Sequence, residues 1–315
     1  MLCSIILCFS VVSSTKTCFA EEAGIIYIRA DGSIDPLTAP ISTVDNITYT
    51  LTGDIFNNSI MIQKGNIVVD GTFHIIEGTI SGDGIAGIAV LERPNVTIEN
   101  FVIKAASVRI GPYSSYVTIF GNNITGDYEG LGYPLSITNA QNNTIYGNNI
   151  TNNGGGIGLY NSRGNSIYGN NIIGNSAWGI SFSYYSGNNT IYGNNLTNNF
   201  SGIAIGSSST NNMIFHNNFM NNYSQVDVSG ATAFWDNGSE GNYWSDYNGT
   251  DNNHDGIGDT PYIIDENNTD HYPLMSQYVI PEFPMLMFLP LFMIATLLAI
   301  AICKRRHLTR ALWSP

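Results

Sequence analysis

The chain has 315 residues, a formal net charge of -13 at pH 7, and only 11% charged residues against 43% hydrophobic ones. Phosphate binding needs clustered Lys and Arg, so this balance argues against a nucleic-acid partner. With 33 Gly and many Asn, the solvated surface must consist mainly of neutral polar side chains. The composition favours a neutral glycan or a cation as the partner.

The first twenty residues resemble a secretory leader. An apolar run at 2–12 is too short to span a bilayer, and a Cys-Phe-Ala triplet ends at Ala20, before two Glu. This pattern predicts a signal peptide over residues 1–20, cleaved after Ala20. Three of the four cysteines lie in this leader, so we expect no disulfide in the exported part.

A phrase close to Thr-Ile-Tyr-Gly-Asn-Asn-Ile recurs every 22 to 26 residues through the middle of the chain. Between its copies, a pair of aliphatic residues two positions apart recurs with the same period, as at Ile157 and Leu159. Alternation with period 2 is typical of short strands with one apolar face. The copies of the phrase begin at Thr118, Thr144, Ser166, Thr190 and Met213.

Short strands of this kind cannot bury their apolar faces alone, whereas coils stacked in register can. The repeat therefore predicts an all-β protein, a right-handed parallel β-helix of about seven coils, with the hand given by the rule for parallel crossovers. Asn suits the turns because it tolerates the left-handed conformation and its amide can bond to the next coil. A leucine-rich repeat has a similar period but needs recurring Leu.

The ends of such a solenoid need covers, because open strand edges promote aggregation. We expect an N-terminal cap with the first strands over residues 21–65, coils over 66–233 and a C-terminal cap over 234–275.

Residues 285–303 are apolar throughout and are followed by three basic residues at 304–306. This length crosses a bilayer, so we predict a linker at 276–284, one transmembrane helix at 285–303 and a cytoplasmic tail at 304–315. The β-helix would then lie on the extracellular face of the membrane, with the N-terminus outside.

The sequence Pro-Glu-Phe-Pro at 281–284 stands directly before the apolar stretch. Its order with the apolar helix and the basic cluster resembles the PEF-type C-terminal sorting signals of archaeal surface proteins. The resemblance implies processing by an archaeosortase-like enzyme as a partner, with a plain membrane anchor as the alternative.

The phrases GNYWSDY at 241–247 and DGIGDTPY at 255–262, together with the Asn-rich coils, resemble the NosD-like family. Repeats of that family belong to the carbohydrate-binding and sugar-hydrolase (CASH) class. The resemblance covers roughly residues 66–275 and implies a right-handed parallel β-helix outside the cytoplasm. For NosD proper it also implies copper delivery to nitrous-oxide reductase. We do not expect copper here, because no family ligand can be matched and the histidines are dispersed.

Oxygen-bearing side chains recur at alternate positions of the segment 251–259, with Gly256 where a sharp turn is needed. This spacing is similar to the first part of an EF-hand-like calcium loop and predicts a structural Ca²⁺ site. A metal-free array of Asx turns is the alternative. The predicted ligands are Asp251, Asn253, Asp255, the carbonyl of Ile257, and Asp259.

An aromatic residue follows the inward isoleucine in each copy of the phrase and should point outward. We predict that these rings form a carbohydrate-binding ladder, although stacking of like rings would also stabilise neighbouring coils without any ligand. The ladder consists of Phe120, Tyr146, Tyr168, Tyr192 and Phe215.

No catalytic residue is predicted, since the acidic residues of the coils are scattered. Asp127 and Glu129 share a strand parity but lie in a Gly-rich insertion, and the Asn-Thr-Asp triplet at 268–270 resembles a polygalacturonase motif without its companion motifs. We therefore favour a non-enzymatic cell-surface protein that binds carbohydrate or envelope material. The alternatives are a polysaccharide hydrolase, lyase or epimerase, and a NosD-like copper-handling accessory protein.

Frequent Asn-x-Ser/Thr sequons, as at Asn195, predict N-glycosylation.

Overall fold

A computed structural model of the protein describes residues 24–78, 87–126 and 132–280. The predicted signal peptide, the transmembrane helix and the basic tail lie outside these ranges. Within the ranges, no helix has the length and apolarity needed to cross a bilayer.

The described residues form a parallel β-solenoid in which each full coil adds one strand to each of three sheets. The first sheet contains Gly24–Ile28, Ile34–Asp35, Asn58–Ile62, Gly87–Val90, Ser107–Ile110, Leu135–Thr138, Ile157–Tyr160, Trp178–Ser183, Ser201–Ile205 and Ser224–Val228. The second contains Ile41–Ser42, Thr48–Leu51, Ile67–Asp70, Val96–Glu99, Thr118–Phe120, Thr144–Tyr146, Ser166–Tyr168, Thr190–Tyr192, Asn212–Phe215 and Ala233–Phe234. The third contains Ile55–Phe56, Ile75–Glu77, Val102–Lys104, Asn123–Thr125, Asn149–Thr151, Asn171–Ile173, Asn195–Thr197, Asn218–Met220 and Tyr243–Trp244.

The solenoid has about eight turns and starts earlier than the repeat indicates. Strand Gly24–Ile28 already pairs in parallel with Asn58–Ile62, inside the segment 21–65 expected to contain the N-terminal cap and the first strands. The first coil is longer than the later ones, because extra strands at Ile34–Asp35 and Ile41–Ser42 lie between Gly24–Ile28 and Thr48–Leu51. The period of the repeat is therefore not visible in this part of the sequence. At the other end, an antiparallel pair, Tyr262–Asp265 with Asn268–Asp270, lies beyond the last coil.

The aliphatic residues of the repeat fill the interior in register, as predicted. Ile145 aligns with Ile119 on one side and Ile167 on the other, and all three side chains are fully buried. Ile157 and Leu159 pair with the equivalent residues of the next coil in the same way. Burial of each such side chain contributes roughly 1.5–3 kcal/mol, so the stacked columns hold the coils together.

The first Asn of each Gly-Asn-Asn phrase is buried and forms a ladder along the turn between the second and third sheets. In Asn170, Nδ2 donates to the carbonyl oxygens of Ile145 and Tyr168 at 3.0 Å and to Oδ1 of Asn194 at 2.9 Å. Its Oδ1 accepts from the backbone N–H and Nδ2 of Asn148, both at 3.0 Å. The members of this first ladder are Asn122, Asn148, Asn170, Asn194, Asn217 and Asn242.

Two further ladders line the other corners, and the same side chain to backbone bond links their members. These amides satisfy the buried polar groups of the turns without placing a charge in the interior. The second Asn of each phrase instead starts a strand of the third sheet. The further ladders are Asn143, Asn165, Asn189, Asn212 and Asn153, Asn175, Asn199, Asn222.

The first ladder ends at Asn242, where the carboxylate of Asp270 occupies the position that the next asparagine side chain has on the earlier rungs. Asp270 is fully buried, and its Oδ2 accepts from the Asn242 backbone N–H at 2.7 Å and from Trp244 Nε1 at 2.8 Å. Its Oδ1 accepts from the Tyr272 N–H at 3.0 Å. A Cβ at Gly241 would lie only 1.8 Å from this Oδ1, so glycine is required there.

The indole of Trp244 closes the apolar interior at the same level. Its ring stacks on Phe219 at 4.3 Å on one side and on Tyr262 at 4.2 Å on the other, measured between ring centroids. The GNYWSDY phrase is therefore accounted for by capping contacts.

Beyond the cap, the chain folds back onto the flank of the solenoid. The Tyr278 backbone N–H donates to Asn218 Oδ1 at 2.7 Å, and Asn218 Nδ2 donates to the Tyr278 carbonyl at 3.0 Å. The Tyr278 ring stacks on His216 at 4.2 Å. His216 stands where earlier copies of the phrase have Gly, and it keeps the left-handed conformation at φ 57°. The described chain thus ends at the side of the last coils.

Candidate functional site

The five predicted aromatic residues form one column on the outer face of the second sheet. Neighbouring ring centroids lie 4.8 to 5.5 Å apart, and neighbouring planes are within 12° of parallel. The strand register brings the rings together, because equivalent positions on successive coils are directly aligned. Carbohydrate binding by this aromatic column, Phe120 to Phe215, stays a prediction.

Stacking limits what the column can offer a ligand. Each inner ring has both faces covered by its neighbours, and the Tyr192 hydroxyl hydrogen-bonds to the Ser166 side chain of the preceding coil. Burial raises the pKa of the Tyr146, Tyr168 and Tyr192 hydroxyls, so these groups stay neutral. A sugar could therefore contact only ring edges along the column, and the geometry suits mutual stabilisation of the coils.

Two carboxylates lie at the N-terminal end of the same column. Asp70 and Glu99 are paired on adjacent rungs, and Glu99 in turn pairs with Phe120. Burial, and then the charge of Asp70, raises the pKa of the half-buried Glu99. Asp70 Oδ1 accepts from the Thr72 N–H at 2.8 Å and from Asn100 Nδ2 at 3.1 Å. Sequence reasoning treated these acids as scattered, since an irregular coil separates them.

A polar cleft of about 620 Å³ lies at the corner between the first and second sheets. Residues from three successive coils line it, and none of them was predicted as a site residue. We name it the tyrosine cleft, after the two aromatic rings at one end. Its principal side chains are Tyr113, Tyr116, Asn139, Gln141, Asn142, Asn161 and Arg163.

Exposed tyrosines stand at both ends of this cleft. Tyr113 is 83% exposed at the N-terminal end, while Tyr184 and Tyr185 are 61% and 56% exposed on the third coil beyond it. Coil-to-coil backbone bonds, such as Tyr113 N–H to the Asn139 carbonyl at 3.1 Å, fix this spacing. Three rungs of about 4.8 Å separate the two ends by roughly 15 Å.

The backbone at these tyrosines is unusual for the residue type. Tyr113, Tyr116, Tyr184 and Tyr185 all have positive φ, between 49° and 63°. Asn more commonly occupies this conformation, which costs a bulky residue of order 1–3 kcal/mol. The backbone conformation therefore does not explain why tyrosine occupies these positions, and the sequence does not indicate positive φ at aromatic residues.

The predicted calcium loop is ordered by its own hydrogen bonds. Asp251 Oδ2 accepts from the Gly256 N–H at 3.0 Å, and Asn253 Nδ2 donates to Asp255 Oδ2 at 2.8 Å. Asp259 Oδ2 accepts from the N–H of Asn252 at 2.9 Å. Three predicted ligands thus take part in the hydrogen bonds of one turn, and Asp259 bonds to Asn252 within the same segment.

Three histidines each pair with a single carboxylate. In the described part of the chain, no three His, Cys, Asp or Glu side chains come together to hold a metal ion. Copper prefers several soft or imidazole donors, so the described residues do not fit a copper site. The pairs are His74 Nδ1 with Asp54 at 3.0 Å, His216 Nε2 with Glu240 at 2.6 Å and His271 Nδ1 with Asp236 at 3.0 Å.

Solved structures with a related fold include a single-site mutant of the periplasmic alginate epimerase AlgG. It is 16% identical, with 66% of this chain and 70% of that chain covered and a TM-score of 0.37. A structure of the same epimerase without that mutation is also 16% identical, over 62% of this chain and 67% of that chain, with a TM-score of 0.32.

Among functionally curated proteins, none shows significant sequence similarity to this chain. A family model described as periplasmic copper-binding protein (NosD) matches residues 38–206 and 179–249, which together exceed half of the sequence. With the parallel solenoid and the cap formed around the GNYWSDY phrase, this match shows that the chain belongs to the NosD family.

Proposed function

We propose that this NosD-family β-helix is a non-enzymatic protein that binds glycan on the flank formed by the second sheet and the tyrosine cleft. The observation that carries the proposal is an amide-lined cleft with the exposed Tyr113 and Tyr116 at one end and the exposed Tyr184 and Tyr185 on the coil that follows its other end.

This combination suits the chemistry of sugars. Sugar rings have apolar faces that pack on aromatic rings, and hydroxyl edges that exchange hydrogen bonds with amides. Tyrosine offers contact area with little loss of conformational freedom, and Asn or Gln can both donate and accept. The cleft volume of about 620 Å³ lies within the range of small-ligand sites.

The charge distribution supports a sugar ligand over a densely charged polymer such as nucleic acid. Between residues 132 and 215 the sequence has a single ionisable Asp, Glu, Lys or Arg side chain, Arg163. The second and third of the coils that line the cleft therefore present hydroxyl, amide and aromatic groups, with Arg163 as their single charge. A polyanion such as nucleic acid would need clustered cations there.

The proposed location is the outer face of the membrane, with residues 1–20 as the leader and 285–303 as the anchor. The family description and the excess of neutral polar residues support export. Protease treatment of intact cells should remove an epitope placed in the 251–259 loop and spare one placed after residue 306. The opposite result would contradict this topology.

Glycan binding is tested by passing the full-length chain in detergent over a panel of immobilised neutral and acidic polysaccharides, while new reducing or unsaturated ends are measured. We expect retention on at least one polysaccharide without product. Retention on none would contradict the binding function, and product release would contradict the non-enzymatic assignment.

The enzyme alternative has one specific observation in its favour, the carboxylate pair Asp70 and Glu99 at the end of the aromatic column. A raised pKa on one acid of a close pair is the usual property of a general acid. If product forms, Glu99→Gln should abolish it while Glu92→Gln leaves it unchanged. Equal activity of both variants would exclude this pair.

A further inference from the structure

The guanidinium of Arg163 is held in place within the tyrosine cleft. Its Nε donates to the Tyr185 carbonyl at 3.0 Å, and its backbone pairs in parallel with Gln141, which pairs with Ser115 on the coil before. The residue is exposed, and in the part of the chain that the structure describes it forms no ion pair. The Nε edge of the guanidinium is thus fixed to the protein by this hydrogen bond.

The surroundings of Arg163 leave its positive charge uncompensated. It is the only Asp, Glu, Lys or Arg side chain between residues 132 and 215. At the same corner, the coil before Tyr113 has Glu92 and Arg93, whose formal charges cancel, and Arg109 lies on the strand of the first sheet that precedes Tyr113. Although the whole chain carries a formal charge of -13, the cleft itself has a positive centre.

We propose that the tyrosine cleft selects sugars that carry a carboxylate, with Arg163 as the group that recognises the acid. The proposal rests on the glycan-binding function above and names the ligand class of the same site, a hexuronic acid within a glycan. A guanidinium matches a carboxylate with two parallel N–H donors, a contact that is stronger than a neutral hydrogen bond.

The arrangement fits one carboxylate among neutral sugar contacts better than a densely charged ligand. A single Arg cannot neutralise the closely spaced charges of a polyphosphate, whereas the acid groups of a uronic acid glycan are separated by whole sugar rings. Tyr113 and Tyr116 on one side and the amides of Asn139 and Asn161 below would contact the rest of the sugar.

The test compares the full-length chain in detergent for binding of tetragalacturonic acid and of its fully methyl-esterified form, by titration calorimetry. The two probes differ only at their carboxyl groups, which are anionic in the acid and neutral methyl esters in the other probe. We expect the acid to bind at least tenfold more tightly than the ester, and we expect this ratio to fall towards one as salt is raised, because an exposed ionic contact is screened.

Two variants separate recognition from folding. Arg163→Gln should reduce the acid-to-ester ratio to about one while affinity for the ester is kept, and Arg163→Lys should restore only part of the preference because it lacks the planar pair of donors. Arg109→Gln is the matched control, since Arg109 lies on the outer face of the first sheet. It should leave the ratio unchanged.

The outcomes distinguish this inference from the function on which it rests. Equal binding of acid and ester by the unmodified chain, or an unchanged preference in Arg163→Gln, would overturn the recognition of acidic sugars and leave glycan binding intact. If the unmodified chain binds neither these probes nor any polysaccharide of the panel, both proposals fall.

Discussion

Asp270 Oδ2 accepts a hydrogen bond from the backbone N–H of Asn242 at 2.7 Å. On every earlier rung of the first ladder, the equivalent N–H donates to the side-chain oxygen of the next asparagine, as Asn217 does to Asn242. A ladder of neutral amides therefore ends on a carboxylate. Burial is the main cause that raises the pKa of Asp270 from 3.8 to about 6, against the opposing effect of its three N–H donors.

The stability of the cap should depend on pH through this group. Because the pKa of Asp270 is higher in the folded chain, its neutral form favours folding below pH 4, and this contribution is lost as pH rises through 6. Between pH 4 and 7, the free energy of unfolding should fall by about 2.4 kcal/mol relative to Asp270→Asn. Urea unfolding at both pH values measures this, and an equal difference at both would contradict it.

Gly241 should tolerate no side chain, because a Cβ there would lie 1.8 Å from the buried Asp270 carboxylate. Gly241→Ala should lower the free energy of unfolding by about 2–4 kcal/mol through displacement of the carboxylate. Gly53→Ala is the control, since its Cβ would meet Pro40 at an ordinary 3.5 Å. Similar denaturation midpoints for the two variants would show that the cap is not tightly packed.

The two asparagines of one phrase should differ sharply in their contribution to stability. Asn170 is fully buried, and Asn170→Ala removes its bonds to two carbonyls and takes the acceptor away from the Asn148 backbone N–H, which should cost about 3 kcal/mol. Asn171 is exposed, so Asn171→Ala should cost less than about 1 kcal/mol. Equal losses in thermal unfolding would contradict the ladder.

Most of the solenoid was predictable because the sequence repeats with a regular period. Ile145 and Tyr146 lie at fixed positions in each phrase, so the buried column, the aromatic column and the roles of the paired asparagines follow from stacking in register. The parallel pairing of Gly24–Ile28 with Asn58–Ile62 has no such periodic signal, because the first coil is longer than the later ones.

Contacts between non-repeating residues were not predictable in this way. Asp270 reaches Asn242 across 28 residues with no periodic signal, and the triplet that resembles a polygalacturonase motif is accounted for by capping. Asp70 and Glu99 meet only because an irregular coil has the right length. The tyrosine cleft combines Tyr113 and Arg163 from coils two rungs apart, at corner positions where the repeat usually has neutral polar residues.

Calcium binding by residues 251–259 is a separate prediction with its own measurement. If Ca²⁺ binds Asp251, Asn253, Asp255 and Asp259, a free Ca²⁺ concentration of 100 times the dissociation constant should raise the free energy of unfolding by about 2.7 kcal/mol. Thermal unfolding with calcium and with a chelator measures this. Asp255→Asn should weaken the effect and Asp265→Asn should not, whereas identical melting with and without calcium would leave the loop as an Asx-turn array.

Binding of glycan at the tyrosine cleft is tested most directly by comparing two equally exposed tyrosines. Tyr113 at the cleft is 83% exposed, and Tyr223 at another corner is 85% exposed, so neither substitution to Ala should disturb the core. Using the polysaccharide retained in the panel experiment, the affinity should fall at least tenfold in Tyr113→Ala and stay within about twofold in Tyr223→Ala. Equal affinities for the two variants would contradict the cleft as the binding surface.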